Sequence, residues 1–487
     1  MKIIQNEKIL YETHGSCSSF DISLSALKTA IKAIDPSILI KNSIQITDNN
    51  QLIINDVKGN KYFFNLNNYE TFHLFGAGKA TARMTKTLME ILNLKFSSGA
   101  ITIPYHEKVL PYNLLVTEAG HPIPDNNSIN GTKIIIKLLK KIKTKSLVFV
   151  IISGGASSLM CMPVDKLSLT SKQEITKLLL KSGASIHEIN TVRKHLSKIK
   201  GGKLPGYLTR KGHIITLILS DVVGDDIDII GSAPTVRDFT TFADAINILK
   251  KYKLWDLNNK NNFQNLFDIK KVLQDGLRDS PEINSNISKN SCNNITNIII
   301  GNNEIACKSA VKELIKNGIK TKYLGSNVNL EAKNFGRQLA QLLVSSHSEL
   351  NENRLSDESF AYVLGGETVV NLSAVNDHTN KMKIGIGGRN QETIVSSINY
   401  LKDLDGLNNF TIISFATDGI DGNSKFAGGL VTPITINTIK EKKIDIKKYL
   451  ISHDTSNLLK KIKSHILTGR TGTNVNDIAI ICNIKES

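Results

Sequence analysis

The 487-residue chain has no CxxC pair, and its five cysteines (Cys17, Cys161, Cys292, Cys307, Cys482) are odd in number. Neither a disulfide framework nor a zinc site is indicated, and a reducing, cytoplasmic setting follows. Long apolar runs are missing as well. The longest, 147–152 and 214–219, fall far short of the roughly 20 residues that span a bilayer, and the opening MKIIQNEKIL has no sustained apolar core. No membrane partner is expected. Lysine and arginine outnumber acids by 61 to 44, a formal charge of +17, but the excess is scattered through Lys- and Asn-rich stretches such as 249–271. Without a clustered basic stripe and interleaved aromatics it reads as solvated surface, so no nucleic acid is expected. Small anions are still drawn by the net field.

Three familiar motifs are incomplete. At Gly76-Ala77-Gly78-Lys79-Ala80-Thr81 the third glycine of GxGxxG is replaced by Thr81, which argues against a dinucleotide site. The same stretch is not a phosphate-binding Walker loop, because His73 and Ala80 stand where a glycine and a Ser or Thr belong. Ser153-Gly154-Gly155-Ala156-Ser157-Ser158 lacks the GxSxG elbow of hydrolases.

What is present is ordinary globular composition, 40% apolar and 22% charged, with length for two domains. Apolar, β-branched-rich runs recur at 71–80, 147–158, 214–226, 297–303, 361–368 and 411–419, and each meets a Gly or acidic turn. Their near-continuous hydrophobicity fits strands covered on both faces, and helical patterns follow at 79–92, 304–317 and 389–402. The fold class is α/β, with mostly parallel sheets flanked by helices. In such sheets ligands sit beyond the carboxyl ends of the strands, where all these turns fall. Weak periodicity and Asn/Asp/Ser/Lys enrichment across 256–295 mark a domain connection. The division is an N-terminal Rossmann-like domain over 1–265, a connecting segment over 266–295 and a C-terminal domain over 296–487.

Several turns carry candidate chemistry. Lys79 lies beside a tight turn at a helix start, a place to hold phosphate or carboxylate; a solvent lysine in a packing turn is the alternative. Gly154, Gly155 and Ser157 follow a strand directly and suit an anion nest, or else a purely structural turn. In Ile189–Lys203 apolar residues at 189, 192, 196 and 199 form a helical stripe ended by a Gly pair, and Arg193 and Lys200 on its basic face are either solvated or anion-facing. Asp221, Asp225 and Asp226 place three carboxylates in six residues, which suits a metal or a general base. Between Leu364 and Gly422, glycines repeat beside Glu367, Arg389, Asn390 and Asp418, a density that suggests backbone brought close to an anionic, metal-bearing ligand.

Taken in order, GAGKA (76–80), EAGHPIPD (118–125), SGGASS (153–158), INTVRKHLSKIKGGKL (189–204), SDVVGDD (220–226), GSAPTVRD (231–238), GGET (365–368), GIGGRNQE (385–392), ATDGIDG (416–422) and TGTNVNDI (471–478) are similar to the signatures of the glycerate 2-kinase family that carries a C-terminal MOFRL domain. The resemblance runs over almost the whole chain. It implies two α/β domains with the active site in the cleft between them, a MOFRL region over about 360–480, ATP and Mg²⁺ as cofactors, and phosphoryl transfer to D-glycerate. It also favours the 2-hydroxyl, which the residues alone leave open. Phosphoryl transfer needs cations for the transferred group, a metal and a proton acceptor. Lys79 and Arg389 are assigned to charge stabilisation, Arg389 as a bidentate ligand of the substrate carboxylate or a phosphate. Asp221 is the proton acceptor, and Asp225, Glu367 and Asp418 bind metal directly or through water. Gly154, Gly155, Ser157, Gly224, Thr473 and Asn474 are assigned to the nucleotide, and Lys79, Arg193, Lys200, Arg389 and Asn390 to the substrate. The chain departs from the pattern at Ala233, Arg237 and Arg470, where Gly, Pro and Pro are expected; an Ala at positive φ would strain that loop by roughly 1 kcal/mol. Two other classes stay open: a hydroxypyruvate reductase-type oxidoreductase, and a non-catalytic sensor of sugar acids or nucleotides. The oligomeric state is open too, a homodimer included.

Overall fold

The computed structural model describes residues 3–107, 114–142, 145–208, 212–256, 264–279, 294–348, 359–372, 384–404 and 406–485. Cys292 lies outside them. The chain divides into two compact units, one of residues 39–301 and one of 1–38 with 302–487.

In the first unit a small antiparallel meander, β1 (Ile44–Ile46), β2 (Gln51–Asn55) and β3 (Lys61–Asn65), precedes a six-stranded sheet. That sheet comprises β4 (Thr71–Ala77), β5 (Phe96–Pro104), β6 (Leu115–Ala119), β7 (Ser146–Ile152), β8 (His213–Leu219) and β9 (Ile295–Gly301). Every neighbouring pair is parallel, in the order β6-β5-β4-β7-β8-β9. Strand β7 is buried along its full length, as its unbroken SLVFVII predicts for a central strand covered on both faces. From β4 the order runs one way to β6, and from β7 the other way to β9. The β4–β7 boundary is therefore a topological switch point, the kind of place beyond the carboxyl ends of the strands where such sheets hold ligands.

In the second unit the strands are β10 (Lys320–Tyr323), β11 (Phe360–Gly366), β12 (Phe410–Ala416), β13 (Gly428–Val431), β14 (His465–Ile466) and β15 (Asp477–Asn483), ordered β10-β11-β15-β12-β13-β14. Helices Ala332–Ser348 and Arg389–Leu401 bury Leu339, Leu343, Ile394 and Ile398 against Leu364, Ile412 and Ile481 of this sheet. Helices Ser18–Ala33 and Asn303–Lys316 pack on each other and on β15.

All six apolar runs read from sequence are strands, and the three helical patterns are helices. Four expectations change. The second sheet is mixed: β15 lies antiparallel between β11 and β12, and only the β10–β11 pair is parallel. Continuous hydrophobicity reports two covered faces, not direction. The strand expected to open the second domain is β9, which pairs with β8 and buries Ile298 and Ile300 in the first unit. Residues 1–38 join the second unit instead, where Ser19 N–H donates to Asn409 Oδ1 at 3.1 Å and the Ser19 and Thr411 hydroxyls meet at 2.9 Å. Within the expected connector, Gln264–Asp279 is a helix that buries Leu266, Ile269 and Leu273, an i, i+3, i+7 stripe hidden by a polar outer face.

Candidate functional site

The turn after β4 and the turn after β7 lock together at the switch point. Gly78 has φ +142°, and a Cβ there would collide with Ser153 Oγ. Lys79 N–H donates to Gly154 O at 2.8 Å, and Ala80 N–H to Ser153 Oγ at 3.1 Å. These bonds set Lys79, partly buried, immediately before helix Thr81–Leu92. Gly155 has φ +84°, and a side chain there would meet the His121 ring at 2.6 Å.

Ser157, one turn further, gathers the basic segment. Its Oγ accepts from Arg193 Nη2 at 2.5 Å and from Lys200 Nζ at 2.8 Å, and it meets Ser232 Oγ at 2.7 Å. Ser232 Oγ donates to Asn190 Oδ1 at 2.8 Å, so the Ser157 proton goes to Ser232 and both lone pairs of Ser157 go to cations. The Ser157 hydroxyl, assigned to the nucleotide, holds Arg193 and Lys200 in this structure. Lys200 Nζ also donates to Ser157 O at 2.8 Å and Gly231 O at 3.4 Å, so its three protons have protein partners. Helix Ile186–His195 ends before the Gly pair, and a turn carries Lys200 back under it.

Charge in this region is unevenly matched. Lys194 has Asp228 at 2.6 Å and Asp238 at 3.5 Å. Arg193, Lys200 and Lys172 of helix Leu169–Lys181 have no carboxylate partner among the described residues. Burial, then the neighbouring Arg193 and Lys172, drives the Lys200 ammonium well below its ordinary pKa. Burial, followed by Arg193, lowers Lys172 to about 8. Arg193 is lowered by burial too, and its Nε has no hydrogen-bond partner.

Asp221 and Asp225 lie partly buried beyond β8, Asp225 at φ +58°. Asp226 is used in the turn, accepting from Asp228 N at 2.9 Å. Gly224 is exposed at φ +83° with open space around it, so glycine is there for its backbone angle and not for close approach to a neighbour. Among the described residues no group of three or more His, Cys, Asp or Glu gathers as a metal site.

In the second unit Arg389 is already bidentate: Nε and Nη2 donate to the two oxygens of Asp477 at 2.6 and 3.0 Å, and Nη1 to Glu367 Oε1 at 2.5 Å. The fork assigned to a substrate carboxylate or a phosphate faces Asp477 in this structure, and Glu367, assigned to metal, is ion-paired with it. Asn390, assigned to substrate, is buried, with its amide NH₂ on Asp421 Oδ1 at 3.3 Å and its oxygen accepting from Ser414 at 2.7 Å. Asp421 takes the backbone N–H groups of Asn390 and Gln391 at the start of helix Arg389–Leu401, and a Cβ at Gly388 would strike it. Burial, with Asp477 nearby, raises Asp421 to about 6. Thr473, assigned with Asn474 to the nucleotide, is buried with its hydroxyl on Ile34 O at 2.9 Å, and Asn474 Oδ1 accepts from Asn476 N at 3.2 Å in the turn before β15. Asp418 Oδ1 accepts from Ile420 N at 3.1 Å. A groove of about 480 Å³ in this unit is lined by Glu367, Arg389, Glu392 and His453 among others.

Asp477, Lys172, Ser232, Asn190 and His121 escaped the sequence reading. Asp477 stood inside TGTNVNDI, but nothing local pairs it with an arginine 88 positions away. The loop expectation at 233 holds: Gly231, Ser232 and Ala233 have φ of +60°, +62° and +56°. Gly201 and Gly202 donate to the carbonyls of Ser232 and Ala233 at 3.1 and 2.7 Å, which fixes that left-handed run.

A doubly wound unit with a lysine at its switch point and buried, unmatched cations beside it defines an α/β protein built to hold a small anionic ligand. Residues 23–266 match the family described as Domain of unknown function (DUF4147), and residues 360–477 match the MOFRL family. The chain is 36% identical to a glycerate 2-kinase of Pyrococcus horikoshii over 94% of this chain and 96% of that one. It is 34% identical to a D-glycerate 2-kinase of Thermotoga maritima, over 85% and 91%. The crystal structure of a Thermotoga maritima glycerate kinase superposes with a TM-score of 0.76 at 31% identity, covering 95% of this chain and 99% of that one. This chain belongs to the glycerate 2-kinase family with a C-terminal MOFRL region.

Proposed function

We propose that this chain transfers the γ-phosphoryl group of ATP to the 2-hydroxyl of D-glycerate. The observation that carries the reading is the switch point of the first unit, where the N–H groups of Lys79 and Ala80 are held by Gly154 and Ser153, and where buried Lys200 and Lys172 and half-buried Arg193 have no carboxylate partner among the described residues. Both substrates are anions, and a dry cationic site stabilises charge on a transferring phosphoryl group far better than water does. The glycerate oxygen attacks the γ-phosphorus, the bond to the β-phosphate oxygen breaks, and ADP leaves. Asp221 accepts the hydroxyl proton.

Mg²⁺ neutralises the phosphate oxygens when bound. It needs only one or two carboxylates alongside phosphate and water, and Asp225 in the first unit is the carboxylate this reading gives it; Glu367 is paired with Arg389. Arg389 serves in this reading by fixing Glu367 and Asp477, not by gripping substrate. Four free, buried thiols, Cys17, Cys161, Cys307 and Cys482, support a reducing, cytoplasmic location.

The test pairs two assays on the intact chain. ADP release from ATP and Mg²⁺ should require D-glycerate, and NAD(P)H with hydroxypyruvate should show no absorbance change; the opposite pattern would support the oxidoreductase. In Asp221→Asn turnover should collapse while metal-free nucleotide binding stays unchanged. Recovery with excess Mg²⁺ would make Asp221 a metal ligand instead of the proton acceptor.

A further inference from the structure

Lys172 is 4% exposed, and its ammonium holds three donors. Its only hydrogen-bond partner among the described residues is the carbonyl of Leu196, at 3.4 Å. A buried ammonium left this way costs several kcal/mol unless an anion joins it. The chain supplies such anions next door, to Lys194, and withholds them here. Arg193 Nε repeats the pattern, buried and without a partner, while Nη2 is pinned by Ser157. Lys200 cannot serve as the missing donor, since its protons are taken by Ser157 and Gly231.

We propose that Lys172 and Arg193 form an oxyanion site, with the hydroxyl chain Asn190–Ser232–Ser157 as the device that aims Arg193 into it. The ligand class is a phosphoryl group or carboxylate. This rests on the reading of the first unit as the anion-handling site and adds Lys172 as a ligand-binding residue. Arg193 depresses the proton affinity of Lys172 and Lys200, and Lys172 that of Lys200, which agrees with close grouping; the nearby Cys161 acts the other way on all three.

The experiment is phosphate titration of the intact chain, read by calorimetry and by Tm. Wild type should bind inorganic phosphate and gain Tm with it. Lys172→Met should bind phosphate at least about tenfold more weakly, yet melt no lower than wild type without phosphate, because an unmatched buried charge has been removed. Lys172→Arg should keep phosphate binding within about threefold, since it keeps the charge. If Lys172→Met does not fold, Lys172→Gln replaces it under the same criterion. Wild-type phosphate affinity in the Met or Gln variant would overturn the proposal, as would a wild type that binds no phosphate. Titrating D-glycerate and ADP separately then identifies the source: the ligand whose affinity falls with Lys172 supplies the oxyanion, and a fall in neither also overturns it. Phosphate binding that depends on Lys172 in a chain without phosphotransfer activity would leave this site standing and remove the kinase reading.

Discussion

Arg389 shows what a residue can and cannot reveal by itself. Its glycine-rich turn and its charge were legible in GIGGRNQE, because tight turns and helix starts are written locally. Its partner was not, because Asp477 reaches it only once β15 and helix Arg389–Leu401 are in place. The same holds for Ser157, whose hydroxyl read as a phosphate cradle until Ser232, Arg193 and Lys200 filled it. The filled fork makes a clear prediction. Arg389→Lys keeps the charge but cannot bridge both oxygens of Asp477 and also reach Glu367, so stability should fall by about 1–3 kcal/mol. Denaturant melts check this; unchanged stability with a raised KM for glycerate would return Arg389 to the substrate.

Elements were more legible than their partners. Six apolar runs announced six strands, and Gly or acid turns at their ends announced where ligands belong. Strand direction in the second sheet could not be read, because an antiparallel β15 covered on both faces is as apolar as a parallel strand. Helix Gln264–Asp279 passed for a linker because Asp268, Lys270 and Lys271 interrupt its three core residues. At the N-terminus, His14 ends helix Glu7–His14 and is buried, with Nδ1 2.9 Å from Thr432 Oγ1 and Nε2 3.2 Å from Lys463 O. Burial lowers its pKa from 6.5 to about 4. The folded protein therefore takes up this proton less readily than the unfolded chain. The stability due to neutral His14 is complete above pH 6.5 and is lost as pH falls towards 4, on the order of 3 kcal/mol in all. Melts between pH 7.5 and 4.5 should show that loss in wild type and less of it in His14→Gln; parallel curves would place the acid sensitivity elsewhere.

At the scale of the molecule, the order of motifs along the chain was enough to place it in its family, while the division into units was not. Residues 1–38 belong with 302–487, and no composition shift marks that return, because burial of Phe20, Leu24 and Leu27 is satisfied by any core they reach. The doubly wound order of the first sheet, in contrast, follows once the strands are parallel and their crossovers right-handed. It brings the turns after β4 and β7 together, and the account of function depends on that meeting.

The central claim is that this meeting serves phosphoryl transfer to the 2-hydroxyl of D-glycerate. Phosphorus NMR of the intact chain with D-glycerate, ATP and Mg²⁺ tests it most directly. The account predicts ADP and 2-phosphoglycerate appearing in equal amounts, with no 3-phosphoglycerate. Formation of 3-phosphoglycerate, or ATP consumed without any phosphoglycerate, would contradict it.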